Sequence, residues 1–160
     1  MTIRIGDPLP DGTVKTMTPD GPRDVSMKDL CASGTAVIFA VPGAFTPACS
    51  ARHLPGFLEK AADLTARGVG VIACISVNDA FVMDAWARAN GVKGRIVMLA
   101  DGNGAFTRAL GLDADLSPFG MGVRSQRFAM VVKNGRVAQL FVDEPGAFEV
   151  SAAGHVLAHL

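Results

Sequence analysis

Two stretches of the chain are apolar at almost every position and carry no polar alternation. Residues 35–41 (TAVIFAV) and 69–76 (VGVIACIS) are short and rich in β-formers, the pattern of strands buried on both faces of a sheet. Residues 96–99 (IVML) are a shorter version of the same kind. Helical patterns lie between them. Residues 47–67 hold good helix formers broken by Pro55, which lacks a backbone donor and predicts a kink or a split there. Asn78 is placed to cap a helix that runs through Trp86 to about Ala89 and stops near Asn90-Gly91. Residues 101–110 carry another short helix. In the C-terminal third, two β-rich runs, 127–133 and 136–142, flank Asn134-Gly135, the pair that type I′ hairpin turns prefer. Ser151 can cap a last helix through Leu157. The first 25 residues, rich in Gly, Pro and Asp, read as a turn-broken strand pair covering one edge. The order is therefore β-α-β-α-β-α, a hairpin, then a helix. It predicts an α/β fold with a mixed central sheet, helices on both faces and an N-terminal strand extension.

Composition narrows what such a fold can serve. At 160 residues, with no linker, repeat or low-complexity tract, the chain (1–160) is expected to form a single domain. Fifteen basic residues balance fifteen acidic ones, so no electrostatic footprint for nucleic acid or an anionic membrane is expected. Leu30 to Ala51 carries no charge, but Gly34, Pro42, Gly43 and Pro47 interrupt it, so it is not read as a membrane span. The opening residues have no apolar core of the kind a secretory signal needs. Three cysteines, Cys31, Cys49 and Cys74, are an odd number without a close pair. A disulfide framework is not expected; a reducing, cytoplasmic setting fits better.

The informative segment is Val41-Pro42-Gly43-Ala44-Phe45-Thr46-Pro47-Ala48-Cys49. A buried strand ends, a Pro/Gly loop follows, and a helix begins with Thr46 at the N-cap and Pro47 at the first helical position. Cys49 then falls in the first turn, where free N–H groups and the helix dipole stabilise a thiolate. The plainer reading is a small packed hydrophobe. Dithiol exchange of the C-x-x-C kind is not available, because Thr46 and Arg52 stand three residues either side of Cys49. A lone thiol remains, suited to attack on an electrophile.

The stretch from Pro42 to Phe57 (PGAFTPACSARHLPGF) resembles the active-site segment of the peroxiredoxins, in particular their type II or type V subgroup. The likeness continues through Cys74 to Met83 (CISVNDAFVM), Gly122 to Met130 (GVRSQRFAM) and Glu144-Pro145-Gly146, and begins at Ile5-Gly-Asp-Pro-Leu-Pro. The resemblance implies a fold of thioredoxin-like type, which the element order also fits. It implies a thiol peroxidase acting on hydrogen peroxide and small alkyl hydroperoxides, with Cys49 oxidised to a sulfenic acid. Thr46 would aim its hydroxyl at the sulfur and the peroxide oxygen, Pro42 would shield the sulfur, and N–H groups near Ala48 and Cys49 would hold the peroxide. Arg127 would stabilise the thiolate and polarise the O–O bond. The resemblance implies a homodimer packed near the active-site loops; neither metal nor cofactor is expected.

Local readings compete with several of these roles. A Thr46 hydroxyl acting as a cap accepts a hydrogen bond and keeps its proton to donate. Arg127, at the start of an apolar strand, reads locally as a solvated charge, and Arg124 is its nearest rival. His53 shares a helix face with Cys49, which leaves packing, a hydrogen bond near the site, or a protease-like Cys–His pair. His155 and His159 have the spacing of a metal pair but no further ligand close by, and read as a solvated helix face. Phe81 and Trp86 read as core. Gly102-x-Gly104 lacks the remainder of a dinucleotide fingerprint.

Turnover depends on the other thiols. The subgroup with an internal resolving cysteine carries it after the Glu-Pro segment, where this chain has Ser151. Cys74 falls inside a predicted strand and reads as structural, with a slow Cys49–Cys74 disulfide as the alternative that the resemblance leaves open. Cys31 has no motif around it. The pattern favours an outside thiol, glutaredoxin with glutathione or thioredoxin, as reductant. Two other functions fit a reactive Cys49: a redox sensor or chaperone switched by its oxidation, and a glutathione-dependent transferase.

Overall fold

Both all-apolar runs form neighbouring parallel strands at the centre of a seven-stranded sheet. The computed structural model describes residues 1–160. In chain order its elements are β1 (Thr13–Thr18), β2 (Gly21–Ser26), α1 (Met27–Leu30) and β3 (Thr35–Ala40). A π-helical turn (Cys49–His53) then leads into α2 (Leu54–Ala66), followed by β4 (Val69–Ser76), α3 (Ala80–Ala89), β5 (Val97–Ala100) and α4 (Ala105–Leu110). The last elements are β6 (Asp113–Asp115), a 3-10 turn (Ser117–Phe119), β7 (Val123–Ser125), β8 (Phe128–Lys133), β9 (Arg136–Val142) and α5 (Ala153–Ala158). The strand order is β2-β1-β5-β4-β3-β8-β9. β3, β4 and β5 run parallel, while β8, β9, β1 and β2 are antiparallel to their neighbours. This is a thioredoxin-like α/β fold with a mixed sheet, and the β1–β2 hairpin is the strand extension at one edge.

Alternation along β3 divides the interior in two. Val37 and Phe39 face α2, α3 and α5 together with Leu54, Phe57, Leu64, Met83, Trp86 and Val156. Ala36, Ile38 and Ala40 face the other way, toward Met27 of α1 and Phe106 and Leu110 of α4. Each large buried side chain contributes roughly 1.5–3 kcal/mol of transfer free energy. Cys49 and Cys74 share the first of these cores and Cys31 the second.

Several predicted ends move by a residue or two. The cap of α3 is Asp79, whose carboxylate accepts from Val82 N–H; Asn78 is engaged elsewhere, in the loop after β3. Ser151 does not cap α5, where Ala152 holds the cap position, because its hydroxyl is bonded to Asp143. Phe81 is two-thirds exposed rather than core, whereas Trp86 is fully buried. The turn Asn134-Gly135 has φ of 50° and 80°, the left-handed pair that a type I′ hairpin requires. The small β6–β7 sheet has no apolar alternation to betray it.

The split at Pro55 takes a specific form. Its ring cannot sit over the carbonyl four residues back without a clash, and the helix widens just before it. Leu54 N–H reaches to Cys49 O, five residues earlier, closing a π turn. Such turns concentrate at functional sites. His155 and His159 stack 4.3 Å apart and His159 Nδ1 donates to the His155 carbonyl; no group of three or more potential ligands is gathered anywhere in the fold.

Candidate active site

The loop after β3 is held by Asn78 and by a bond within itself. Asn78 Oδ1 accepts from Ala44 N–H at 3.0 Å and from the Ser76 hydroxyl. The Thr46 hydroxyl donates to Gly43 O at 2.7 Å. These bonds keep Phe45 at φ 65°, a left-handed backbone that a bulky residue adopts only under constraint. Gly43 leaves no room for a side chain without adjustment, since a Cβ there would lie 3.1–3.3 Å from Thr46, Arg124 and Met121. Helical backbone begins at Pro47, so Cys49 occupies the first turn, as its spacing predicts. Thr46 holds the N-cap position, its carbonyl accepting Ser50 N–H at 2.9 Å, but its hydroxyl makes no capping bond. Its proton goes to Gly43 and not to the sulfur, the reverse of the direction expected from sequence.

Cys49 has no exposed surface. Arg127 Nη2, at the entrance to β8, donates to Cys49 Sγ at 3.1 Å. Its Nη1 lies 2.8 Å from His53 Nδ1. A guanidinium has only donors, so Nδ1 is the acceptor and the ring proton sits on Nε2, which donates to Ser151 O at 3.1 Å. Phe39, Phe57 and Phe148 surround the imidazole at centroid distances of 5.0, 5.7 and 5.0 Å. Phe148 also lies beneath the Arg127 and Arg52 guanidinium groups, at 5.7 and 5.0 Å.

Asp143 fixes the segment that carries Ser151. Its carboxylate accepts from Glu149, Val150 and Ser151 N–H and from the Ser151 hydroxyl. Its own N–H donates to Arg127 O at 3.0 Å. One buried residue thus ties the end of β9 to the start of β8 through its backbone and to the loop over His53 through its carboxylate. Arg124, the rival arginine, donates to Met121 O at 2.9 Å and Val77 O at 3.4 Å; it braces the β7 side of the site and does not reach the sulfur. Ser50, next to Cys49, accepts the Trp86 indole N–H at 2.9 Å.

Beside this cluster opens a cleft of about 580 Å³ whose walls include Pro42, Thr46, Ala48, Leu116, Phe119 and Arg127. Arg127 therefore lines the cleft and touches the sulfur at once. A second cleft of about 570 Å³, between β1, β5 and α3, shares none of these residues. Pro42, Thr46, Ala48, Cys49 and Arg127, scattered over 86 positions of sequence, come together here. Asp143 and Phe148 were not foreseen: an acid next to Glu144-Pro145 reads as a loop charge, and only their positions in space reveal them. For His53 the four-residue spacing from Cys49 was the sole signal.

Burial first, and the Arg127 charge second, push the His53 imidazole down to about 3, against smaller opposing effects of the Ser151 carbonyl and Asp143. An unfolded histidine takes up its proton near pH 6.5. Between pH 6.5 and 3 the unfolded chain thus binds a proton that the folded one refuses, and stability falls as pH falls, by up to about 1.4 kcal/mol per pH unit. In urea titrations across that window, a His53→Asn variant is expected to lose stability less steeply than wild type. Equal slopes would contradict a buried neutral imidazole.

Residues 4–157 match the Redoxin family. Over 161 aligned residues the chain is 52% identical to peroxiredoxin-2E-2, chloroplastic, of Oryza sativa subsp. japonica, covering 98% of this chain and 72% of the relative. It is 47% identical to peroxiredoxin-2E, chloroplastic, of Arabidopsis thaliana, covering 98% and 68%. Among solved structures, reduced Prx3 in complex with hydrogen peroxide from Vibrio vulnificus superposes with a TM-score of 0.95 at 49% identity, covering 99% of both chains. A reactive-cysteine fold matched over nearly its whole length by these proteins leaves one conclusion: the chain belongs to the Redoxin family and is a peroxiredoxin, a thiol-dependent peroxidase.

Proposed function

We propose that Cys49 is the peroxidatic nucleophile, that Arg127, Thr46, Pro42 and Ala48 form the peroxide subsite around it, and that an external thiol recycles it. The observation that carries this reading is the 3.1 Å hydrogen bond from Arg127 Nη2 to Cys49 Sγ in the first turn of a helix. Attack by the thiolate on the outer oxygen of ROOH forms an S–O bond and breaks the O–O bond. The sulfur is oxidised to a sulfenic acid, and the departing RO⁻ takes a proton and leaves as ROH. Arg127 donates to the charge that develops on the oxygens. With its own proton committed to Gly43, the Thr46 oxygen accepts the O–H of the hydroperoxide. The N–H groups of Ala48 and Cys49, lacking partners within the helix, add donors, and Pro42 walls off water.

Recycling by an outside thiol follows from the surroundings of the other cysteines. Burial, with the nearby Cys49 adding to it and Arg127 partly offsetting it, holds the Cys74 thiol well above its usual range. Burial lifts Cys31 to about 11. A protonated thiol is a poor attacker on a sulfenic acid, and Ser151 has no sulfur. A small thiol therefore condenses with the sulfenic acid, releasing water and leaving a mixed disulfide. A second thiol then attacks the reductant sulfur, breaking its bond to Cys49, releasing the Cys49 thiolate and carrying both reductant sulfurs away as a disulfide, with glutathione and glutaredoxin favoured over thioredoxin. Cys31→Ser and Cys74→Ser are each expected to keep most glutathione- or glutaredoxin-supported turnover. Mass spectrometry after peroxide and glutathione should find the adduct on Cys49. Rapid Cys49–Cys74 disulfide formation with loss of turnover in Cys74→Ser would replace this with a two-cysteine cycle.

We further infer that residues 1–160 act as one domain in a reducing compartment such as the cytoplasm, a setting in which three free thiols persist; the named plant relatives are chloroplastic. A homodimer meeting near the cleft is supported by Phe45 and Phe119, which stand more than half exposed on loops of the site.

A further inference from the structure

We infer that His53 is a positioning residue: its neutral imidazole, turned by the Ser151 carbonyl, holds the Arg127 guanidinium in the orientation that bonds Cys49 Sγ. The inference rests on the reading of Cys49 as nucleophile and Arg127 as its cation, and it assigns a task to a residue that could otherwise be only part of the aromatic core.

Both ring nitrogens are in use, and in opposite senses. Nε2 donates to Ser151 O at 3.1 Å and Nδ1 accepts from Arg127 Nη1 at 2.8 Å. A phenylalanine would fill the space between Phe39, Phe57 and Phe148 equally well, so packing alone does not account for a histidine. Two further features keep the ring in this one form. A protonated imidazole would point a proton at Arg127 and would stand charged against a guanidinium while itself buried. The charged groups acting on the ring are Arg127 and Asp143, and with burial the balance holds it neutral. The other tautomer would aim its Nε2 lone pair at the Ser151 carbonyl oxygen, acceptor against acceptor.

The rest of the chain of contacts runs outward to β9. Ser151 O is held where it is because Asp143 accepts the Ser151 N–H and hydroxyl as well as the two preceding N–H groups. Asp143 also bonds the Arg127 carbonyl through its own N–H. The backbone of Arg127 and the ring that aims its side chain are thereby both referenced to Asp143, the first through its N–H and the second through its carboxylate. A planar donor fork bonds the sulfur well in only a narrow range of orientations, so freeing Nη1 lets Nη2 swing away from Sγ. Position 151, which the sequence offers as a helix cap and as the place of a missing thiol, takes part through its backbone.

The test uses the full-length protein and two kinds of readout. In wild type, nitrogen chemical shifts of the His53 ring at pH 7 should report a proton on Nε2 and a bare Nδ1; a proton on Nδ1, or on both nitrogens, overturns the proposal. The second readout is a cycle of variants followed by the second-order rate with hydrogen peroxide. Asparagine places its amide near the Nδ1 position and can offer its oxygen to Arg127, whereas glutamine reaches toward Ser151 and offers Arg127 nothing. His53→Gln is expected to slow the reaction about 10-fold or more and His53→Asn to recover most of that loss, since small misplacements of an aligning group cost rates of this order. In an Arg127→Gln background, His53→Gln should change the rate by less than about 2-fold, the non-additivity of two residues acting as a unit. A His53→Gln rate equal to wild type, or the same loss in both backgrounds, overturns it. Turnover surviving in Cys49→Ser would instead sink the underlying site assignment.

Discussion

Replacing Cys49 by serine will remove peroxide reduction while leaving the fold in place. The hydroxyl of serine stays protonated at neutral pH and is a weak attacker on oxygen, so the reaction loses its electron pair rather than an aid to it. Loss of a covalent nucleophile typically costs about four orders of magnitude or more, here to the level of the uncatalysed background. The fold has reason to persist: the new oxygen is smaller than sulfur, and it remains an acceptor for Arg127 Nη2. Stopped-flow consumption of hydrogen peroxide, paired with circular dichroism of the variant, reads both halves. Retention of more than about 1% of wild-type turnover in a folded variant would be far above that background. The reaction would then have to pass to Cys31 or Cys74, both buried.

Arg127→Gln carries the next largest effect. The substitution removes the one charged donor that contacts the sulfur, together with a wall of the cleft. Loss of a single donor to developing charge costs about 100- to 1,000-fold, and the rate of iodoacetamide alkylation of Cys49 at pH 7 should fall with it. Arg124→Gln is the control. That arginine bonds two backbone carbonyls, so its loss should appear as about 1–3 kcal/mol of stability and as a much smaller change in rate. If Arg124→Gln slows the peroxide reaction as much as Arg127→Gln does, the sulfur answers to a different cation from the one bonded to it.

The scaffold was readable because burial on both faces leaves an unmistakable mark on a strand. The runs containing Phe39 and Cys74 carry polar residues only at an end, Thr35 and Ser76, and Asn134-Gly135 has few conformations other than the hairpin turn it makes. Cys49 was readable for a related reason: Thr46-Pro47 announces a helix start, which fixes the place of the thiol along the chain. What remained hidden depends on contacts between residues far apart in sequence. Nothing near Asn78 says that its side chain serves a loop 34 residues earlier in preference to the helix beside it. Ser151 could equally cap a helix or bond an acid, and the geometry of β9 decides for Asp143. The direction in which the Thr46 hydroxyl points is likewise set by Gly43 O, which no spacing rule supplies.

The bond between Trp86 and Ser50 makes the protein its own optical gauge. The Cys49 sulfur has no exposed surface, and the turn that buries it also carries Ser50. Were that turn to open, Ser50 would move with its neighbour and release the indole N–H that it accepts. Since the chain contains one tryptophan and no tyrosine, its near-ultraviolet emission comes from that indole. Any displacement of the turn around Cys49 would thus register in the fluorescence of a single residue, without a label, and could be timed separately from the consumption of peroxide.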